Sequence, residues 1–269
     1  MSETNRPARG TRTLAIVLLT LAVVLVVLVL PPVPQPARYH DFADQRAFLD
    51  IPHFLNIVSN AAFLLAGGVG LWGLLRGETV FVHSRERWTY AVFFASILLV
   101  GLGSGYYHLA PGNDRLFWDR LPMSLAFMSL LSAVLVERLG ARAGLRLFPW
   151  LAAAGPLSVL YWILTERAGA DDLRFYGLVH FYPVVLIPLL LWLFPPRYTR
   201  GRDVLVVLVL YGAALGAQWL DRQIFSLGGW VSGHTAKHAL AAVAAWWVWR
   251  MLRLRLPAAA LERSDHCNP

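Results

Sequence analysis

Eight stretches of this chain stay apolar for about as long as a helix needs to cross a bilayer, roughly 20 residues. They run Thr13–Leu30, Ile51–Leu75, Trp88–His108, Phe117–Val136, Leu145–Leu164, Phe175–Phe194, Val204–Leu220 and Gly233–Leu252. Short polar breaks separate them; Pro111–Asp114, for example, reads PGND, a strong helix stop. The pattern predicts an all-α polytopic membrane protein, one compact bundle without a soluble domain or an internal repeat. The first stretch follows a polar segment with Arg6, Arg9 and Arg12 and carries no charge itself. It is long for the core of a signal peptide, and the PPVPQPAR behind it offers no small-residue cleavage site. It is therefore expected to remain as an anchor helix.

Composition supports this picture. The chain is 57% hydrophobic and only 15% charged, against about 25% charged in an ordinary globular domain. A net charge of +8 would suit a nucleic-acid binder, but the basic residues are scattered through short loops and form no stripe, which excludes that class. The single cysteine, Cys267, excludes an intramolecular disulfide and a cysteine-built metal site. Arginine placement then orients the chain. Arg6–Arg12, Arg76–Arg87, Arg138–Arg146, Arg197–Arg202 and Arg250–Arg263 crowd one set of alternate loops. The other set holds only Arg38, Arg46, Arg115, Arg120, Arg167, Arg174 and Arg222. By the positive-inside rule the first set is cytoplasmic, as are both termini; the expected setting is a bacterial inner membrane.

That topology carries distant polar residues to one depth. His108 ends an outward-running span, and Asp119 begins the next. Ser104 and His108 are four apart and share a helical face. His234 and His238, also four apart, open the last span from the same outer side, where Asn56, Ser59 and Asn60 lie on one face of the second. Ionisable groups at such a depth are costly and mark a functional site by default. Three imidazoles suit zinc and leave a fourth position for water, whose pKa zinc lowers to about 7. A nearby carboxylate such as Asp119 can relay a proton, and Ser104 can donate to an oxyanion. Plainer readings exist for each part. The HxxxH pair can bind headgroups, Ser104 can pack among Gly101, Gly103 and Gly105, and the Asn56 face can simply join helices. Lys237, the only lysine, either meets a carboxylate or lipid phosphate, or snorkels. His180 is a candidate neighbour of the cluster or a packing residue.

The combined pattern, S-x3-H-x10-D at Ser104, His108 and Asp119 with a distant H-x3-H at His234 and His238, resembles the alkaline ceramidase family. That family belongs to a superfamily of seven-helix membrane hydrolases that includes adiponectin-receptor-like and GPI-remodelling proteins. IPHFLNIVSNAAF, Ile51 to Phe63, is similar to the start of the family's first core helix. The resemblance spans about Asp41 to Leu252. It implies a seven-helix core (32–256) preceded by a cytoplasmic tail and extra transmembrane helix (1–31) and followed by a cytoplasmic tail (257–269). It implies zinc on His108, His234 and His238, with Asp119 and Ser104 as catalytic residues. The implied reaction is hydrolysis of the N-acyl amide of a ceramide-like membrane lipid. The family's calcium site is not expected. Asp41 and Asp44 match its first acids, but Arg46 stands near its asparagine and His53 at its helix glutamate, and calcium wants oxygen ligands.

Two other readings fit the same residues. A phospholipase-like hydrolase of other acyl lipids can use the same scaffold, since fold does not fix substrate. A receptor or structural protein can use zinc merely to staple helices. A transporter fits less well, given few intramembrane charges elsewhere and no repeat symmetry.

Overall fold

The protein is described by a computed structural model over residues 5–258. The sequence-derived tail 257–269, with Cys267, lies outside the described residues except for Pro257 and Ala258. Among the described residues the chain forms ten α-helices and no β-strand: α1 Asn5–Val29, α2 Phe54–Val58, α3 Ala61–Leu75, α4 Arg87–Leu109, α5 Asn113–Leu139, α6 Ala141–Arg167, α7 Arg174–Leu193, α8 Asp203–Trp219, α9 Asp221–Ser226 and α10 Gly233–Leu254. Six segments are long and apolar enough to cross a membrane: α1, α2 with α3, α4, α5, α6 and α7. At 17 residues α8 is shorter; α10 has 22. The architecture is an all-α multi-pass membrane bundle.

The seven-helix body is α2–α3 through α8 plus α10, with α5 the most buried segment and α1 the least. Helix α3 packs on α4 and α10, α4 on α5, α5 on α6 and α7, and α10 on α8. Helix α1 lies outside this body against α7, where Thr20 Oγ1 meets the Tyr182 hydroxyl at 2.6 Å. Arg174 fixes the far end of α1 by donating to the carbonyls of Val27, Leu28 and Leu30. Helices α7 and α8, although consecutive, barely touch along their length. A hydrogen bond between His180 Nε2 and the Tyr211 hydroxyl spans the gap.

The helices alternate in direction, so the two loop sets gather at opposite ends. Arg9 donates to the Leu139 carbonyl and Arg12 to that of Leu193 at the arginine-rich end. At the other end, here the site end, Arg167 pairs with Asp114 and Arg46 donates to the Gly229 and Trp230 carbonyls.

The apolar segments locate the helices, but the helices extend past them where polar residues form terminal turns, as in α5 and α6. The second span departs further. It is broken between α2 and α3, because Ser59 Oγ and Asn60 Nδ2 both donate to the Asn56 carbonyl. The Asn60 N–H drops back to the Ile57 carbonyl, so local side-chain bonds displace the regular ladder there.

Candidate metal centre

His108 comes from the last turn of α4, and His234 and His238 from the first turns of α10. All three are buried, and one ring nitrogen of each lies within 4.8 Å of the others. The Nε2 atoms of His108 and His234 are 3.1 Å apart, close to the roughly 3.3 Å between two nitrogens that share a tetrahedral zinc at about 2.05 Å. His238 Nδ1 lies 2.8 Å from Ser59 Oγ, whose own proton goes to the Asn56 carbonyl. Ser59 therefore accepts from His238 Nδ1–H, which leaves the His238 Nε2 lone pair free. This is the acceptor that a metal-binding histidine requires. The residues present fit a zinc ion: three buried imidazoles with one nitrogen each converging on a common point, and no thiolate.

The local backbone is built for this arrangement. The Ser232 side chain caps α10 by accepting from the Thr235 N–H, as preferred at an N-cap. Asp221 accepts from the backbone N–H groups of His234 and Ala43 and so ties three segments together. A Cβ on Gly233 would lie 2.0 Å from the Ala217 carbonyl; only glycine lets α10 start this close to α8. The Phe42 ring covers the histidines, 4.7 Å from His108 and 4.5 Å from His234.

Asp119 and Ser104 enter the same region from the α4–α5 seam and share one cavity with His238 and Lys237. The Ser104 hydroxyl and Lys237 both lie near enough to the Asp119 carboxylate to act on its charge. Gly103 makes the seam possible: a Cβ there would stand 2.1 Å from the Trp118 carbonyl. All five sequence-predicted site residues are thus brought together and buried. Lys237 faces the cavity rather than the outer surface and forms no hydrogen bond or ion pair among the described residues. His180 lines the cavity but bonds Tyr176 and Tyr211, away from the three-histidine group.

Other participants were not singled out from sequence. Ser59 was placed at the depth of the site but given no role beyond joining helices, and Asp221 carried no motif. Tyr39 and Arg120 carried no motif. Tyr39 lies in a short turn, Ala37–His40, beside Gln218 in the cavity wall. Burial pushes its phenol up, but Lys237 and Arg120 beside it hold it below its ordinary value. The two acids that match the family's calcium site are engaged with arginines. Asp44 takes Arg46 through both oxygens, and Asp41 pairs with Arg222 at 2.5 Å.

Two chambers lie on either side of the histidines, one reaching His238 and the other His234. The first is an apolar cavity between α4, α5, α7, α8 and α10, with His238, Asp119 and Ser104 at its polar end. The second, of about 810 Å³, opens at the site end and has His234 in its wall. Tyr39, His180, Leu215 and Gln218 line both. Comparison with known proteins finds no matching family model and no matching curated protein.

Proposed function

We propose that the protein is a zinc-dependent integral-membrane amidase that cleaves the N-acyl amide of ceramide-like lipids. The observation that carries this reading is the convergence of three buried histidine nitrogens, with Asp119 and Ser104 in the cavity beside His238, between an apolar chamber and one lined by arginines. His108, His234 and His238 hold the metal, and Ser59 fixes the His238 tautomer. Bound zinc supplies the Lewis acidity that makes water a nucleophile near neutral pH. The lipid amide sits at the polar end of the apolar cavity, with its acyl chain directed between the helices.

Asp119 takes a proton from the attacking water and delivers it to the departing nitrogen. The carbonyl carbon gains the hydroxyl and the C–N bond breaks. A fatty acid and a long-chain amine leave. Ser104 keeps Asp119 oriented and can turn its hydroxyl to the developing oxyanion. Phe42 excludes bulk water from above the histidines, which strengthens each of these interactions.

The test is metal analysis joined to a lipid-amide assay on the purified chain. Wild type is expected to hold about one zinc per chain. Asp119→Asn should retain the zinc and lose about 10²–10⁴-fold in turnover. A chain in which no lipid turns over, and in which histidine changes lower only thermal stability, would be a zinc-stapled structural protein instead. Turnover of acyl esters in preference to amides would move the reading to a phospholipase-like hydrolase.

A further inference from the structure

Arg120 is a buried cation without a direct ion pair, although the charge of the neighbouring Asp119 carboxylate acts on it. Its residue exposure is 4%, it forms no salt bridge among the described residues, and its Nε and Nη1 have no hydrogen-bond acceptor. Nη2 alone donates, to Gln35 Oε1 at 2.6 Å. Three aromatic rings hold the guanidinium: Trp162 at 4.4 Å, Tyr176 at 4.7 Å and Tyr39 at 5.1 Å. Aromatic faces stabilise a cation without neutralising it, and unmet donors in a buried charged group are costly. A planar fork with two free donors is the group that recognises phosphate or carboxylate.

Its surroundings extend the same charge. Arg120 lines the 810 Å³ chamber with Arg38, Arg174 and Arg222, against two carboxylates, Asp41 and Asp221. Arg174 is committed to Asp172 and Arg222 to Asp41, while Asp221 is occupied by two backbone N–H groups. Arg38 and Arg120 are left without ion partners. The chamber that contains His234 is therefore basic, whereas the one beyond His238 is apolar. The histidines stand between the two, with His238 in the wall of one and His234 in the wall of the other.

We propose that the substrate lipid carries an anionic oxygen group, a phosphate or carboxylate, that Arg120 and Arg38 bind in the outer chamber while the acyl chain occupies the apolar one. This assignment rests on the amidase reading for its placement of the amide at the histidines. A neutral headgroup would leave the Arg120 donors unmet; an oxyanion satisfies them and sets the amide between the chambers.

The experiment uses the full chain in lipid nanodiscs with two non-hydrolysable probes, N-alkyl sphingoid lipids that bear either a phosphate or a hydroxyl headgroup. Binding is read by tryptophan fluorescence, and amide analogues of both are assayed in parallel. The phosphate probe is expected to bind about 10-fold or more tightly. Arg120→Gln should abolish the preference. Arg38→Gln, at an exposed position where folding is not at stake, should reduce it about threefold, and Arg115→Gln, away from the chamber, should leave it unchanged. Equal binding of the two probes overturns the proposal. So does a preference that survives both Arg120→Gln and Arg38→Gln, or inorganic phosphate competing at the concentration of the lipid. Preferential binding without hydrolysis of either amide would retain the anionic lipid and reject the amidase. Hydrolysis of both amides with equal kcat/KM and equal binding would do the reverse.

Discussion

At the arginine-rich end of the bundle, Arg255 reaches from the end of α10 to Glu137 on α5, and Glu137 also accepts from the Tyr90 hydroxyl at 2.6 Å. Glu86 accepts from the Tyr198 hydroxyl and pairs with Arg197 at 2.9 Å. Arg138 donates to the Phe194 carbonyl at 2.9 Å. At the site end, the same helices α4, α5 and α10 bury His108, Asp119, Arg120, His234 and His238. There His108 Nδ1 and two Arg120 nitrogens lack partners, two imidazole nitrogens face each other, and Lys237 and Asp119 share a cavity without an ion pair. Both ends place charge in a low-dielectric setting. One pairs both of its buried glutamates, Glu137 with Arg255 and Glu86 with Arg197, and sets Arg138 on carbonyls with its Nε unmet, so that the cluster locks three helices and two loops. The other leaves valences open, which is tolerable only if something else fills them: a metal at the histidines, an anion at Arg120, a substrate beside Asp119.

The largest effect expected from breaking this contrast concerns function at one end and stability at the other. His108→Ala or His238→Ala should remove zinc and reduce lipid-amide turnover by about 10³-fold or more, with the bundle still folded. Glu137→Ala should do the opposite. It strands a 1%-exposed Arg255 and is expected to cost about 3–5 kcal/mol, or about 10 °C of melting temperature, with zinc content unchanged in the folded fraction. Metal analysis and thermal unfolding in detergent on the same preparations check both. If Glu137→Ala lost zinc, or the histidine changes destabilised as much as Glu137→Ala, the two ends would not be separate systems.

Two smaller changes sharpen the picture of the site end. Ser59→Ala removes the acceptor for His238 Nδ1 and should weaken zinc binding about 10–100-fold, read by competition with a chelator, with little effect on melting. Gly103→Ala places a methyl 2.1 Å from the Trp118 carbonyl. It should push α4 from α5, cost about 1–3 kcal/mol and lower turnover, because Asp119 follows Trp118 directly. Zinc should stay, since His108 is more than a helical turn beyond Gly103.

The contrast also explains what could be read from the chain. The apolar segments and their arginine-rich and arginine-poor loops located the helices, because length and charge asymmetry are local properties. The five site residues were legible for a related reason: i, i+4 spacing and span direction together bring them to one depth. Ser59 was visible as a polar residue at that depth, but its bond to His238 depends on the break between α2 and α3, which hydropathy does not register. Arg120 read as one more loop arginine; only the aromatic rings from three separate segments reveal it as buried. The Arg255–Glu137 and Glu86–Tyr198 contacts join residues more than 100 positions apart and carry no spacing signature at all.

A last expected effect lies at the site end but outside the site. Asp172 is buried, which pushes its carboxyl up, yet hydrogen bonds from Arg174 and Tyr161 outweigh this and bring it down to about 2. A carboxylate depressed in the folded state adds stability that is fully present above its unfolded pKa of about 3.9. That stability is lost as the pH falls through about 2. The shift corresponds to roughly 2 kcal/mol at neutral pH. Arg174, the partner, also holds the carbonyls at the end of α1, so the loss should appear first as release of that helix from α7. Melting temperatures from pH 6 to pH 2 should fall for wild type and less steeply for Asp172→Asn, which begins lower at pH 6. Parallel curves would show that Asp172 gains nothing from its partners. Zinc content at pH 6 should be the same in both, because α1 packs on α7, which carries none of the three histidines. A pair matched within itself tunes how the peripheral helix is held; the unmatched groups a few residues away in the fold are left for ligands.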